Sequence, residues 1–400
     1  MSGSSLVPLV PWAAAVFLAA LVTALLVVPP IRAFALRVGA VQEGGGRHGR
    51  GRRRHQGAVP NVGGLALLAA FLVAVAVGAT LAPAAWTVDR GPLFAILLGG
   101  VLMTLVGLLD DLWDLPVAMR LAVQTVAAGI LVANDVSIAF VTNYFAVGPF
   151  ARWAGDGAFV FFGETAAAIL TILWVVGFTN AFNFIDGVDG LSSGVAAIGS
   201  LSLLAVALQV DGRGAAVLLL AALAGAATGF LRHNAGPATI FMGDAGAYLL
   251  GYVLAAVSVL GALKVTAAVT IATPVLILGV PVVNIAQVTL RRLRRGANPA
   301  RAHNDHLHDL LRARGRSERG VVLTLWAATL VLGVAGMLLA ATPPAATAAT
   351  VLLAVAATGG ASALRWAEVR AAERAAERAG AVAVAASDAP PARREGRPPR

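Results

Sequence analysis

The chain has 400 residues, of which 58% are hydrophobic and 12% are charged, and its mean hydropathy is +0.82. Soluble domains carry roughly 25% charged residues, so this composition excludes a soluble globular enzyme and a disordered scaffold. The chain has no cysteine, which excludes disulfides and thiolate metal sites. A net charge of +10 often indicates a nucleic-acid partner, but here its meaning depends on where the basic residues lie.

Apolar runs separated by polar segments predict an all-α polytopic membrane protein with about eleven transmembrane helices. In chain order, the predicted spans are residues 6–31, 61–83, 91–109, 117–134, 164–181, 191–209, 214–231, 245–263, 265–290, 320–341 and 345–365. We interpret residues 1–366 as one integral membrane domain and residues 367–400 as a basic tail. The first part of this tail is expected to form a surface helix and its end to be disordered.

The basic residues predict which side of the membrane each loop faces, because cytoplasmic loops carry an excess of Lys and Arg. If the loops alternate, only Arg90, Arg152, Arg213 and Lys264 fall on one side, and the other 26 of the 30 basic residues fall on the opposite side. The basic side is therefore predicted to be cytoplasmic, with an external N-terminus and a cytoplasmic tail. The positive charge then faces membrane lipids or an anionic substrate, so no nucleic acid is expected as a partner.

Four polar motifs fall on the predicted cytoplasmic side, although the orientation is set from the basic residues alone. LLDDLWDL follows the third span, NAFNFIDGVDG follows the fifth, IFMGDAGAY precedes the eighth and RAHNDHLHD follows the ninth. Each motif alone also fits an ordinary structural role, such as a solvated carboxylate, an Asx turn, a helix N-cap or a surface histidine. Their polar residues are Asp110, Asp111, Asp114, Asn180, Asn183, Asp186, Asp189, Asp244, His303, His306 and His308.

Taken together, the four motifs indicate a metal site that handles phosphates. Carboxylate and amide oxygens without cysteine suit Mg²⁺ or Mn²⁺ rather than zinc. Mg²⁺ usually takes one or two protein ligands and completes its shell with water and phosphates, and arginine forms bidentate contacts with phosphate. The sequence therefore predicts a site for a phosphorylated substrate at the membrane surface.

These motifs resemble those of the polyprenyl-phosphate N-acetylhexosamine-1-phosphate transferases, which belong to glycosyltransferase family 4. The resemblance covers residues 27–312 and is carried by RRRHQGAVPNVGG, GLLDDLWDL, NAFNFIDGVDGLSSG, FMGDAGAYLLGY and RRLRRGANPARAHNDHLHDLL. It implies that undecaprenyl or another polyprenyl phosphate attacks the β-phosphorus of a UDP-N-acetylhexosamine, with UDP-GlcNAc as the default. UMP would leave, and the lipid-linked sugar would begin a cell-envelope glycan at the cytoplasmic membrane.

The resemblance also implies a role for particular residues. Asp244 and Asn183 match the metal ligands, with Mg²⁺ as the expected ion and Mn²⁺ as an alternative. Asp110 and Asp111 match an aspartate pair that positions the lipid phosphate, deprotonates it or supports the metal, and these three roles stay open. The implied substrate-binding residues are Arg54, His55, Arg120, Asn180, Asp186, Asp189, His306 and His308.

The chain departs from the family pattern near its histidine motif. Asp309 replaces a histidine, His303–Asn304 replaces an acid–base pair, and Asn284 stands where an aspartate is usual. The first two departures could change the choice of nucleotide sugar or weaken catalysis. A non-catalytic relative that binds lipid phosphate therefore stays open, as does a transporter, although few polar residues lie in mid-span. The sequence does not decide the hexosamine, the downstream polymer or whether the protein forms a homodimer.

Overall fold

The computed structural model describes residues 9–42, 59–86, 90–142, 159–262, 271–294 and 306–387, and this part of the chain is almost entirely helical. Two antiparallel strand pairs are also present, β1 (Val41–Gln42) with β2 (Val59–Pro60) and β3 (Phe140–Thr142) with β4 (Phe159–Phe161). The helices are α1 (Leu9–Val38), α2 (Gly63–Leu81), α3 (Arg90–Trp113), α4 (Val117–Val132), α5 (Glu164–Ile185), α6 (Leu191–Ala207), α7 (Gly214–Asn234), α8 (Gly243–Ala262), α9 (Ala272–Ile277), α10 (Gly279–Arg294), α11 (Leu307–Ala313), α12 (Glu318–Leu339) and α13 (Pro344–Ser387).

Eight of the described helices are long and apolar enough to cross a membrane, judged by length and composition. Helices α4 and α6 are apolar but shorter. The predicted helical, polytopic membrane protein is thus confirmed, whereas the count of eleven spans and the orientation stay predictions. The eight segments are Leu9–Val38, Gly63–Leu81, Arg90–Trp113, Glu164–Ile185, Gly214–Asn234, Gly243–Leu260, Glu318–Leu339 and Pro344–Ala372.

The predicted ninth span, residues 265–290, is not one continuous helix over its described part. Helix α9 ends at Ile277 and α10 begins at Gly279. Pro281 has no N–H to donate to the carbonyl of Ile277, so the regular helical hydrogen bond between these residues cannot form. The break follows from this proline.

Helix α13 is longer than the predicted last span. It continues without interruption from Pro344 to Ser387, so the first part of the predicted tail belongs to this helix and is not a separate surface helix. The end of the tail, from residue 388, lies outside the described residues.

Two helices extend beyond their predicted ends, which changes where the polar residues lie. Helix α3 continues to Trp113 and α5 to Ile185, so Asp110, Asp111, Asn180 and Asn183 lie in the last turns of these helices. Each of these polar side chains has a hydrogen-bond partner on another part of the fold. The position of the membrane boundary along these two helices stays a prediction.

Helix α7 lies at the centre of the fold, and every residue of its apolar window is buried. Helices α1, α2, α6 and α13 pack around it, while α8 packs against α2, α3 and α5. Small residues allow the closest approaches, as is common in membrane proteins. At Gly107 of α3, an added Cβ would lie only 2.4 Å from the backbone nitrogen of Ala245 in α8.

Substituting Gly107 by alanine is expected to lower both stability and any enzymatic activity. The added methyl group meets the backbone of α8, which cannot rotate away, and such overpacking typically costs about 1–3 kcal/mol. Thermal unfolding in detergent measures the effect, and Gly129→Ala in α4 is the control because no atom lies within 4 Å of its added Cβ. Equal melting temperatures for the two variants would contradict this expectation.

Candidate active site

Asp110 anchors an arginine at the junction of α3, α4 and α8. Its Oδ2 accepts a hydrogen bond of 2.7 Å from Arg120 Nη1 and one of 3.3 Å from the hydroxyl of Tyr248. Its Oδ1 accepts from the backbone N–H of Leu115 at 2.9 Å. The Asp110 side chain is only 3% exposed, so this ion pair is largely shielded from solvent and fixes the position of Arg120.

Asp111 connects the end of α3 to the beginning of α8. Its Oδ1 accepts from Asn61 Nδ2 at 2.7 Å and from the backbone N–H of Asp244 at 3.1 Å, and its Oδ2 accepts from the N–H of Ala245 at 3.3 Å. The first N–H groups of a helix have no partner within that helix, and its N-terminus favours negative charge. The Asp111 carboxylate therefore caps α8 from a neighbouring helix.

Gly243 makes this capping arrangement possible. Its φ of +68° lies in the left-handed region that favours glycine. A Cβ at this position would also lie 2.2 Å from Asp111 Oδ2. The glycine before Asp244 is thus required both by the backbone conformation and by the approach of the Asp111 carboxylate.

Asn183 places an amide directly beside the carboxylate of Asp244. The Asn183 Nδ2 donates to Asp244 Oδ1 at 2.6 Å, and Arg120 Nη1 lies 3.9 Å from Asp244 Oδ2. The Asp244 side chain is 25% exposed, so a solute can reach it. One turn earlier on α5, Asn180 donates to Gln124 Oε1 at 2.7 Å. Helices α3, α4, α5 and α8 therefore bring their polar residues to one end of the bundle.

Asp189 lies in the loop between α5 and α6 and holds the loop between α7 and α8. Its Oδ2 accepts from the backbone N–H of Ala238 at 2.9 Å. Asn234 ties the same two loops together, because its Oδ1 accepts from the N–H of Gly190 at 3.1 Å and its Nδ2 donates to the carbonyl of Ile240 at 3.1 Å. Asp186 begins this loop at the C-cap position of α5.

His306 and His308 pack against the same α5–α6 segment. Their rings are stacked, with centroids 5.3 Å apart and an interplanar angle of 5°. The centroid of the His306 ring also lies 5.4 Å from that of Phe184. A Cβ on Gly187 would lie 2.3 Å from His308 Nε2. The structure therefore brings the predicted histidines to the loop that begins with Asp186.

Two of the departures from the family pattern have structural roles in this arrangement. Asp309 Oδ2 accepts from the backbone N–H of His306 at 3.3 Å, at the beginning of α11. Asn284 Oδ1 accepts from the N–H of Leu307 at 2.9 Å, and its Nδ2 lies 3.5 Å from His306 Nδ1. Both residues hold the histidines in place.

Comparison with known proteins identifies the family to which the chain belongs. The profile described as glycosyl transferase family 4 matches residues 93–262, which contain α4 to α8 and most of α3. The probable undecaprenyl-phosphate N-acetylglucosaminyl 1-phosphate transferase of Bacillus subtilis strain 168 is 32% identical over 81% of this chain and 84% of its own. The chain belongs to glycosyl transferase family 4. The resemblance found in the sequence is thus confirmed.

Other relatives of this family 4 chain come from different bacteria. The decaprenyl-phosphate N-acetylglucosaminephosphotransferase of Mycobacterium tuberculosis strain H37Rv is 33% identical over 76% of this chain and 78% of its own. The undecaprenyl-phosphate alpha-N-acetylglucosaminyl 1-phosphate transferase of Escherichia coli K12 is 27% identical over 72% of this chain and 74% of its own.

Four of the residues singled out in the sequence, Arg54, His55, His303 and Asn304, lie outside the described residues. Sequence reasoning missed Asn61, Gln124, Asn234 and Tyr248. Gln124 and Tyr248 carry a signal, because they lie one helical turn after Arg120 and Asp244 respectively. Asn61 and Tyr248 also lie within the quoted motifs, whereas Asn234 carries no such signal. Within the described ranges, no three acidic or histidine side chains form a preformed metal cage.

Proposed function

We propose that this chain is a Mg²⁺-dependent transferase that moves GlcNAc-1-phosphate from UDP-GlcNAc to undecaprenyl or another polyprenyl phosphate and releases UMP. The observation that carries the proposal is the convergence of Asp110, Asp111, Arg120, Asn183 and Asp244 from four helices at one end of the bundle. The names of the family relatives support the general reaction.

The charges and donor atoms of this cluster suit a divalent cation. Asp110, Asp111 and Asp244 contribute three carboxylates, and Arg120 Nη1 lies 2.7 Å from Asp110 Oδ2 and 3.9 Å from Asp244 Oδ2. The Asn183 amide and the Asp244 carboxylate lie side by side, so both could contact one Mg²⁺. When bound, Mg²⁺ would offset negative charge on the diphosphate as it develops in the transition state.

The proposed reaction needs little acid–base help. A phosphate monoester has a second pKa of about 6, so the lipid phosphate is largely dianionic at neutral pH. Its oxygen forms a bond to the β-phosphorus, while the bond from that phosphorus to the oxygen bridging the α-phosphate breaks and UMP leaves with the bridging oxygen. The main task of the protein is to hold two anions together.

Arg120 is well placed for this task. Asp110 accepts a hydrogen bond from its guanidinium, and the Tyr248 hydroxyl in turn holds the Asp110 carboxylate. The Arg120 side chain is nevertheless 23% exposed, so it can contact a phosphate. The contacts of Asp111 favour a positioning role, because they orient the first turn of α8 and thereby Asp244. His306 and His308, with Asp186 and Asp189, are assigned to the nucleotide sugar.

The excess of basic residues on one side supports a cytoplasmic location for this site in the bacterial cytoplasmic membrane. Both proposed substrates are anionic, so a basic cytoplasmic surface also attracts them. Arg54 and His55 are proposed to contribute to lipid phosphate binding from the first cytoplasmic loop.

A direct assay tests the proposal. The purified protein in detergent is mixed with undecaprenyl phosphate, Mg²⁺ and UDP-GlcNAc carrying ³²P at the β-phosphate. The label is expected in the lipid extract with an equal amount of UMP in the aqueous phase, and EDTA should stop the reaction until Mg²⁺ is added back. Absence of both products across a panel of UDP-N-acetylhexosamines would contradict the proposal, and lipid phosphate binding without turnover would favour the non-catalytic alternative.

A further inference from the structure

The C-terminal helix α13 docks on the loop between α7 and α8. Trp366 Nε1 donates to the carbonyl of Gly236 at 2.9 Å. Arg365 donates twice to the carbonyl of Pro237, from Nε at 3.1 Å and from Nη2 at 2.8 Å. Two adjacent carbonyls of this loop are thus held by neighbouring side chains of α13.

Further contacts fix these two side chains. Glu368 forms ion pairs with Arg232 of α7 and with Arg365, the latter at 3.6 Å. Arg319 of α12 lies over the ring of Trp366, 4.8 Å from its centroid. The docking surface of α13 is therefore held by α7 and α12 as well as by the loop itself.

A single peptide group of the loop links Arg365 to Asp189. The carbonyl of Pro237, held by Arg365, and the N–H of Ala238, which donates to Asp189 Oδ2 at 2.9 Å, belong to the same planar unit. A rigid peptide plane that is held on one side fixes the direction of its N–H on the other side. Rotation of this plane after loss of Arg365 would withdraw the hydrogen bond from Asp189.

A cavity lies between α13 and the Asp189 loop. Its volume is about 390 Å³, and its lining includes Asp189, Gly190, Gly236, Arg319, Trp326 and Trp366. Helix α13 thus forms a wall of the space beside Asp189 in addition to holding the loop.

On the basis of the proposed function, in which Asp189 belongs to the nucleotide-sugar side of the site, we infer that Arg365 and Trp366 are positioning residues for nucleotide-sugar binding. They act through the Pro237–Ala238 peptide group on Asp189 and do not touch the reacting atoms. The C-terminal helix is therefore part of the binding machinery for the donor substrate, whereas binding of the lipid phosphate does not depend on it.

The test compares the Michaelis constants of the two substrates in the full-length protein. Substituting Arg365 by alanine and Trp366 by phenylalanine removes three hydrogen bonds to the loop but keeps an aromatic ring below Arg319. The KM for UDP-GlcNAc is expected to rise about five- to tenfold, with the KM for undecaprenyl phosphate changed less than about twofold. R365K should restore part of the loss, because lysine can still donate to Pro237.

Arg370→Ala is the matched control, because Arg370 lies on the same helix and, within the described part of the chain, donates only to the carbonyl of Trp366. It should leave both KM values unchanged. If the double variant does not purify as a folded protein, Arg365→Ala alone should still raise the KM for UDP-GlcNAc about threefold. Equal rises in both KM values, or no rise in either, would overturn the inference while the proposed function stands. A wild-type protein without product would instead overturn the proposed function.

Discussion

Replacing Asp244 by asparagine is expected to lower the turnover number by about 10³-fold without unfolding the protein. Asparagine keeps the shape of the side chain and can still accept the hydrogen bond from Asn183. It removes the negative charge that would offset a divalent cation and that lies 3.9 Å from Arg120. Turnover in the ³²P assay, with size-exclusion chromatography to verify folding, measures the effect.

Asp211→Asn is the matched control for this substitution. Asp211 is exposed and follows the far end of α6, whose 17 residues span roughly 25 Å from the Asp189 loop. The control should retain wild-type turnover. If Asp244→Asn also retained turnover within about threefold of the wild type, Asp244 would not be a metal ligand of the reaction.

Replacing Asp111 by asparagine is expected to reduce turnover at least about 10²-fold and to lower the melting temperature. The carboxylate oxygens of Asp111 accept hydrogen bonds from Asn61 and from the N–H groups of Asp244 and Ala245. An amide at this position presents an NH₂ group to at least one of these donors, and a buried donor left unpaired costs about 1–3 kcal/mol.

Asp114→Asn controls for a change of charge near the same helix end. Asp114 has a φ of +54°, a conformation that asparagine tolerates well, so its stability and turnover should stay close to wild type. Full activity of Asp111→Asn would contradict the proposed role of Asp111.

The same variant distinguishes two of the roles left open for Asp111, support of the metal and deprotonation of the lipid phosphate. If Asp111 positions Asp244 or supports the metal, the variant should need a higher Mg²⁺ concentration for half-maximal turnover. If Asp111 deprotonates the lipid phosphate, the pH dependence of turnover should change instead, because the loss of a general base is offset at higher pH.

Hydropathy alone placed most of the helices, because long apolar runs have few alternatives in a membrane. It did not place their ends. Asp110 and Asn183 look like loop residues when only polarity is considered, but both remain helical because Arg120 and Asp244 bind them across helices. Such partners depend on tertiary structure and leave no trace in the local pattern.

The motifs indicated which residues converge, but not which hydrogen-bond partners hold them in position. Asp111 was identified from the paired aspartates, whereas its partner Asn61 has no periodicity that links it to them. Asp309 appeared as a departure from the histidine motif, and the structure shows that it accepts a hydrogen bond at the beginning of α11. The docking of Trp366 on Gly236 was equally invisible, because it joins segments 130 residues apart.

The central claim is that Asp244 and its neighbours bind a divalent cation where the two phosphates meet. Binding of Mn²⁺ in the presence of UMP, followed by electron paramagnetic resonance, tests it most directly, since Mn²⁺ accepts the same oxygen ligands as Mg²⁺. The wild-type protein should bind one Mn²⁺ per chain, and Asp244→Asn should weaken that binding at least about tenfold. Unchanged Mn²⁺ binding in Asp244→Asn would contradict the claim.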